Sequence, residues 1–276
     1  MTDNLPQYST NPQVQQTSAE LLALGCPPIP VAPKQLALND PKITGKNPSY
    51  LDPRGIVKFC KHGEFQNRLP TEEELIRFFC NPNTGIGTLG GHGGIAWLDF
   101  DRKCYPSQEA CDADFNRIVN KVCIHALCHR KDLWIEQTGS GGYRLAVTTR
   151  EIPGFTNFTT SPDGQHVGEA LFEGRFTVLA PSLHPNGNYY QRLEWGRPVS
   201  IESLEAIGIY PATVENGKGK KKGKKGKKKE NKKAPPQTPD TSDPTIAALI
   251  AMLISTVAVP FELLLTRSDA PASPLR

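Results

Sequence analysis

The segment Gly93-Gly94-Ile95-Ala96-Trp97-Leu98-Asp99-Phe100-Asp101 alternates as a strand does, with Ala96, Leu98 and Phe100 on one face and Ile95, Trp97, Asp99 and Asp101 on the other. Two residues along a strand advance about 6.6 Å, so both carboxylates are expected to project the same way. Carboxylates so placed can converge on divalent cations, which two-metal phosphoryl-transfer sites hold about 3.5–4 Å apart. Two like charges buried side by side without a cation would be costly. The same pair, followed at once by Arg102 and Lys103, would also serve to open a solvated turn.

Three further segments add chemistry. Thr138-Gly139-Ser140-Gly141-Gly142-Tyr143-Arg144 combines glycines that let backbone N–H groups approach phosphate, a hydroxyl at Ser140 and a forked cation at Arg144. Gly168-Glu169-Ala170-Leu171 places Glu169 on the face of Val167 and Leu171, an odd position for a carboxylate unless something positive meets it. The run Arg175 to Ala180 delivers the turn Pro181-Ser182-Leu183-His184-Pro185-Asn186-Gly187, with His184 as a polar contributor or a structural turn residue. Lys34, next to Pro33, and Lys46, in Gly45-Lys46-Asn47-Pro48, are additional loop cations that could meet phosphate.

The elements that must position these residues follow from period and punctuation. The spacing predicts a short helix over 18–25 capped by Ser18, and an extended proline-rich passage from Cys26 to Lys34. A helix opens with the capping box Thr71 to Glu74 and runs to about Cys80. Strands are expected at 85–89, 134–138, 143–147, 166–171 and 175–180, a long helix at 107–129, and a last helix at 201–207. The order is mixed rather than regularly alternating, which predicts an α+β fold with a largely antiparallel sheet flanked by helices.

With 276 residues, one domain of about 200 plus flanking segments is expected. The net charge of +4 hides an asymmetry, because eleven of the 32 Lys and Arg residues lie between Lys218 and Lys233. Elsewhere 21 basic residues face 27 acidic ones, a net of −6, unlike the uniformly basic surface of a nucleic-acid coat. The domain reading is therefore a polar, disordered segment over 1–17, a folded domain over 18–210, and a linker over 211–244. A short apolar segment over 245–276 follows. Its seventeen uncharged residues, Thr245 to Phe261, contain Pro260, and an interaction helix or the start of another module is expected rather than a membrane anchor. Without a secretory leader, the seven cysteines read as reduced and the protein as cytoplasmic. Cys104, Cys111, Cys123 and Cys128, with His125 and His129, lack a Cys-x-x-Cys knuckle, so ordinary thiols are favoured over zinc. The lysine run reads equally as a spacer and as a non-specific DNA-backbone contact.

The proline-rich segment with its lysine, the acidic strand, the Ser-Gly-Gly loop, the Glu strand and the Pro-Ser-x-His-Pro-x-Gly turn come in an order that resembles a known family. That family is the bifunctional DNA primase/polymerase N-terminal (prim-pol) domain of the archaeo-eukaryotic primase superfamily, and the resemblance spans about residues 18–196. It implies a primase-like catalytic core that makes primers by template-dependent nucleotidyl transfer in plasmid, phage or mobile-element replication. Asp99 and Asp101 match the first acidic motif and Glu169 the third, which together would hold Mg²⁺ or Mn²⁺. Ser140 matches the serine of the second motif, with Gly141 and Gly142 beside it, and Arg144 stands where that motif ends in a phosphate-contacting histidine. Arg144, Lys46 and His184 would then face the incoming nucleotide. The implied partners are single-stranded DNA, nucleoside triphosphates and a helicase supplied by another chain. Two other functions share these residues: a catalytically weak relative that acts as a DNA-binding initiation factor, and a metal-dependent nuclease. The second would need a His pair and a tyrosine nucleophile that the sequence does not cluster.

Overall fold

The computed structural model describes residues 8–37, 40–162 and 164–212, and the expected linker and apolar tail beyond Ala212 lie outside them. In chain order the elements are α1 (Pro12–Ala23), β1 (Ile29–Val31), β2 (Ser49–Leu51), β3 (Val57–Phe59), α2 (Glu72–Phe79), β4 (Gly85–Leu89), β5 (Ile95–Phe100) and α3 (Gln108–Ala126). There follow β6 (Trp134–Gln137), β7 (Tyr143–Thr149), β8 (Asn157–Thr159), β9 (Gly168–Leu171), β10 (Phe176–Leu179), β11 (Gln191–Trp195), β12 (Val199–Ile201) and β13 (Tyr210–Pro211). Short 3-10 turns join several of them. The fold is α+β with mainly antiparallel pairing, as expected.

Seven strands form one path, β11-β6-β7-β5-β9-β8-β13, and β12 joins β7 in parallel. A second sheet, β1-β4-β10, is antiparallel, and β2 and β3 form a hairpin. The two-residue period sorts the core into layers. Ala96, Leu98 and Phe100 of β5, with Ile135, Leu145 and Val147, pack against Phe115, Ile118, Val119 and Val122 of α3. On the opposite face Ile95, Trp97, Trp134, Ala146 and Leu171 meet Ile86, Leu89 and Leu179 of the smaller sheet, with α1 and α2 behind them. Each fully buried side chain of this size contributes about 1.5–3 kcal/mol, so α3 is held by its apolar stripe rather than by helix propensity.

Three boundaries differ from expectation. Helix α1 starts at Pro12, not Ser18, because the Asn11 side chain accepts from the N–H groups of Gln13 and Val14 and Pro12 supplies a ready helical φ. Ser18 is buried inside it with Val14, Thr17 and Leu21, so residues 8–17 are part of the domain rather than a disordered lead. Of the expected helix at 201–207, Ile201 instead ends strand β12, paired in parallel with Thr149 of β7, and only a single 3-10 turn forms at Glu205–Ile207, stopped by Gly208 at φ 82. The linker expected from 211 begins later, because Pro211 pairs with Phe158 and the Ala212 N–H bonds Asn157 O. By contrast, the Thr71–Glu74 capping box is formed in both directions. Among the described residues no helix is long and apolar enough to cross a membrane.

Candidate functional site

Pairing across the large sheet places Arg192 of β11 beside Glu136, Glu136 beside Arg144, Arg144 beside Asp99, and Asp99 beside Glu169, with Asn157 of β8 next. Directly paired residues share a face, so these six form one polar row across six strands. One step along, the same face carries Trp195, Trp134, Ala146, Trp97 and Leu171. The charged row therefore runs along the margin of the core between the two sheets.

Its middle is buried. Arg144 is 3% exposed, donates from Nη2 to Asp99 Oδ2 at 2.9 Å, and donates from Nη1 to the Val178 carbonyl of β10. The Tyr190 ring lies 5.5 Å from its guanidinium. Glu136 is fully buried, 3.9 Å from Arg144 and 3.8 Å from Arg192, and accepts from Trp134 Nε1 at 3.0 Å and the Ala180 N–H at 3.1 Å. Burial pushes the Glu136 carboxyl up, and both arginines pull the other way. Burial lowers the Arg192 guanidinium to about 10, opposed by Glu136 and Glu20. Arg144 is thus not the free phosphate-facing cation that the sequence suggested. Its neighbours in the row are carboxylates, of which Asp99 takes Nη2, while Nε has no hydrogen-bond partner among the described residues.

The acidic end of the row is open. Asp101 follows β5 with extended backbone (φ −87, ψ 111), its N–H bonds Val167 O, and its carboxylate pairs with Lys103 Nζ at 2.5 Å. That bond raises the Lys103 pKa, with a smaller contribution from the charge of Glu169. Glu169 is exposed and makes no hydrogen bond or ion pair among the described residues, although it stands directly opposite Asp99. Like charges in that position destabilise a sheet unless a cation joins them. Asp99, Asp101 and Glu169 are hard oxygen donors, the set Mg²⁺ and Mn²⁺ prefer. Among the described residues no three His, Cys, Asp or Glu side chains are gathered closely enough to hold a metal. Arg144 and Lys103 hold two of the three carboxylates instead.

The glycine loop and the histidine turn come together beside this row. A Cβ at Gly139 would lie 2.3 Å from His184 Cβ, and the Gly139 carbonyl accepts from Asn186 Nδ2 and Asn188 Nδ2 at 2.8 and 3.0 Å. A Cβ at Gly142 would lie 2.2 Å from Phe100 O, so no other residue lets this loop sit against the end of β5. The Gly141 N–H closes the turn onto Thr138 O, and Ser140 Oγ, which is exposed, bonds Thr138 Oγ1 at 3.0 Å. The loop is thus a tight hairpin turn, with at least the Gly141 donor spent internally. Lys34 and Lys46 are both exposed near the same turn, where the Gly45 backbone abuts Lys34 and Pro185. Ser182 ties the turn to β4 through Ile86, and Gln35 Nε2 donates to His184 O at 2.9 Å.

His184 is 7% exposed and its ring lies 5.6 Å from that of Tyr190. The Asn186 N–H donates to Nδ1 at 3.2 Å, which leaves the ring proton on Nε2, and that buried atom has no partner. Burial lowers the His184 pKa, and Lys46 acts in the same direction. The unfolded imidazole, with a pKa near about 6.5, then binds more protons than the folded one as pH falls below that value. Stability should be fully present above this range and decline as pH drops through it toward the folded pKa. A proton NMR titration should find the His184 midpoint below that of an unfolded histidine, and His184→Gln should lose less stability between pH 7 and pH 5 than wild type. A midpoint at or above the unfolded value would overturn this placement.

The four cysteines near the acidic strand do not gather as a group, although Cys123 and Cys128 adjoin at the end of α3, where the Cys128 N–H donates to Cys123 O at 3.1 Å. Cys111 is buried within α3, Cys123 is on the same helix, Cys128 follows it, and Cys104 Sγ is 3.8 Å from His166 Nδ1. Sequence reasoning passed over Glu136, Arg192 and Tyr190. The signal for Glu136 was present, since Trp134-Ile135-Glu136 puts a carboxylate on the face of a core tryptophan. Neither known protein families nor curated proteins contain a match to this chain.

Proposed function

We propose that the chain is a template-dependent nucleotidyltransferase, a DNA primase/polymerase with a core of the archaeo-eukaryotic primase type. The observation that carries this reading is the juxtaposition of Asp99 and Glu169 on paired strands, with Asp101 at the end of the first. Asp99, Asp101 and Glu169, which are not gathered as they stand, would have to converge to hold Mg²⁺ or Mn²⁺. A bound cation would supply activation of the primer 3′-oxygen and neutralisation of the leaving pyrophosphate. Arg144 orients Asp99 by holding Oδ2, while Oδ1 makes no hydrogen bond among the described residues. Lys103 shields Asp101 through an exposed pair worth under about 1 kcal/mol, weak enough that Asp101 would be free to serve as a cation ligand. Lys34, Lys46 and Ser140 are exposed on the side from which a triphosphate would approach, with His184 buried beneath them.

A second reading, a weakly catalytic DNA-binding initiation factor, draws support from the same ion pairs, which occupy Asp99 and Asp101 with protein cations. One experiment separates the two. The full chain is incubated with single-stranded template, labelled ribo- or deoxynucleotides and Mg²⁺ or Mn²⁺, with and without a primer. Incorporation is expected, and none with either metal on a primed template would discard the polymerase reading in favour of the binding one.

A further inference from the structure

We propose that the β11 edge of the large sheet is a stacking site for the bases of single-stranded nucleic acid, with Tyr189 and Trp195 as platforms. A cavity of about 370 Å³ opens between the start of α1 and this edge, a size suited to a small planar ligand. Tyr189, two residues before β11, is 59% and Trp195, at its end, 47% exposed, high for large aromatic rings. The exposed side-chain amides of Gln13 and Gln191 line the same cavity and make no hydrogen bond among the described residues. No carboxylate lines it. Aromatic faces with neutral donor–acceptor groups match a nucleobase, which offers a π-face and a hydrogen-bonding edge.

Arg192 forms the floor. Its side chain is 3% exposed, and its guanidinium lies 3.3 Å over Trp134 and 5.3 Å from the Trp195 ring. Arg192 Nη1 is buried without a hydrogen bond. Trp195 also borders a second cavity of about 340 Å³ lined by the exposed Arg197 and by Glu20, whose carboxylate pairs with Arg192 at 3.5 Å. Two cavities bordering one indole, with a cation just beyond, fit consecutive bases and their phosphate rather than a single free nucleotide. Arg192 belongs to the row that leads through Glu136 and Arg144 to Asp99, three strand spacings or about 14 Å away. The choice of nucleic acid as occupant rests on the function proposed above, whereas the cavities and their lining do not.

The test uses the full chain without metal or nucleotide, and measures fluorescence anisotropy of labelled (dT)₁₂ and of an abasic 12-mer with the same backbone. Trp195→Ala and Tyr189→Ala should each weaken (dT)₁₂ binding roughly 5- to 100-fold, and Trp195→Phe should restore most of the affinity. Binding of the abasic strand should be equal in all four proteins, and the salt dependence unchanged, because phosphate contacts are untouched. Equal (dT)₁₂ affinity in wild type and both Ala variants would overturn the site, as would tighter binding of maltohexaose than of (dT)₁₂. Base-dependent binding without nucleotide incorporation would uphold the site and discard the polymerase function alone.

Discussion

Glu169→Gln is expected to abolish nucleotide incorporation while leaving the protein at least as stable as wild type. Glu169 is exposed, lacks a hydrogen bond among the described residues, and faces Asp99 directly across the β5–β9 pair. Neutralising it removes a like-charge repulsion worth a few tenths of a kcal/mol, so the melting temperature should hold or rise slightly. Incorporation should fall by more than the roughly 10–100-fold that loss of an outer-shell partner costs a metal site. Asp101→Asn should behave alike, because Asn retains the cap on the following 3-10 turn and the lost pair with Lys103 is exposed. Lys103→Ala should leave incorporation intact, since that lysine competes with the cation. Primer extension with Mg²⁺ as the sole divalent ion, beside thermal melts, reads both quantities. Wild-type extension by both carboxylate variants would remove these residues from the chemistry.

Glu136→Ala should produce the largest loss of stability, about 3–5 kcal/mol, the cost of leaving buried charge uncompensated. Glu136 is the single carboxylate between Arg144 and Arg192, both 3% exposed at the side chain. Its removal also strands the donors at Trp134 Nε1 and the Ala180 N–H. The combined replacement Arg144→Met, Glu136→Leu and Arg192→Met should recover much of that loss, because apolar residues of similar volume avoid the desolvation penalty. Incorporation should remain low in the triple variant, since Asp99 loses the guanidinium that orients it. Urea denaturation of the three proteins gives the comparison. A Glu136→Ala variant within about 1 kcal/mol of wild type would show that the triad is not the electrostatic keystone of this sheet.

Local signals were read well where they were short-range. The Thr71–Glu74 capping box, the alternation from Ile95 to Phe100 and the apolar stripe Phe115, Ile118, Val119 and Val122 all depend on neighbours within about one or two turns or pleats. The start of α1 was missed because its outward face is rich in glutamine, which hides four buried positions in a polar segment. The helix expected at 201–207 shrinks to one 3-10 turn because seven residues carry too little period to separate helix from strand and turn, and the pairing of Ile201 with Thr149 of β7 takes its first residue into β12.

The sequence by itself determined that Asp99 and Asp101 end a strand, that Glu169 sits on another, and that a glycine loop and a histidine turn follow in order. It also settled the α+β class, since period and turn chemistry are local properties. Register was decided by the tertiary structure, because which residue stands opposite which depends on packing between strands far apart in the chain. Asp99 meets Arg144 forty-five residues later and Glu169 seventy residues later, and Glu136 finds Arg192 across another edge. Burial then assigned the cations. Inside the core margin Arg144 is more favourably placed against carboxylates than in an open phosphate site, since an unpaired guanidinium there would be costly to desolvate.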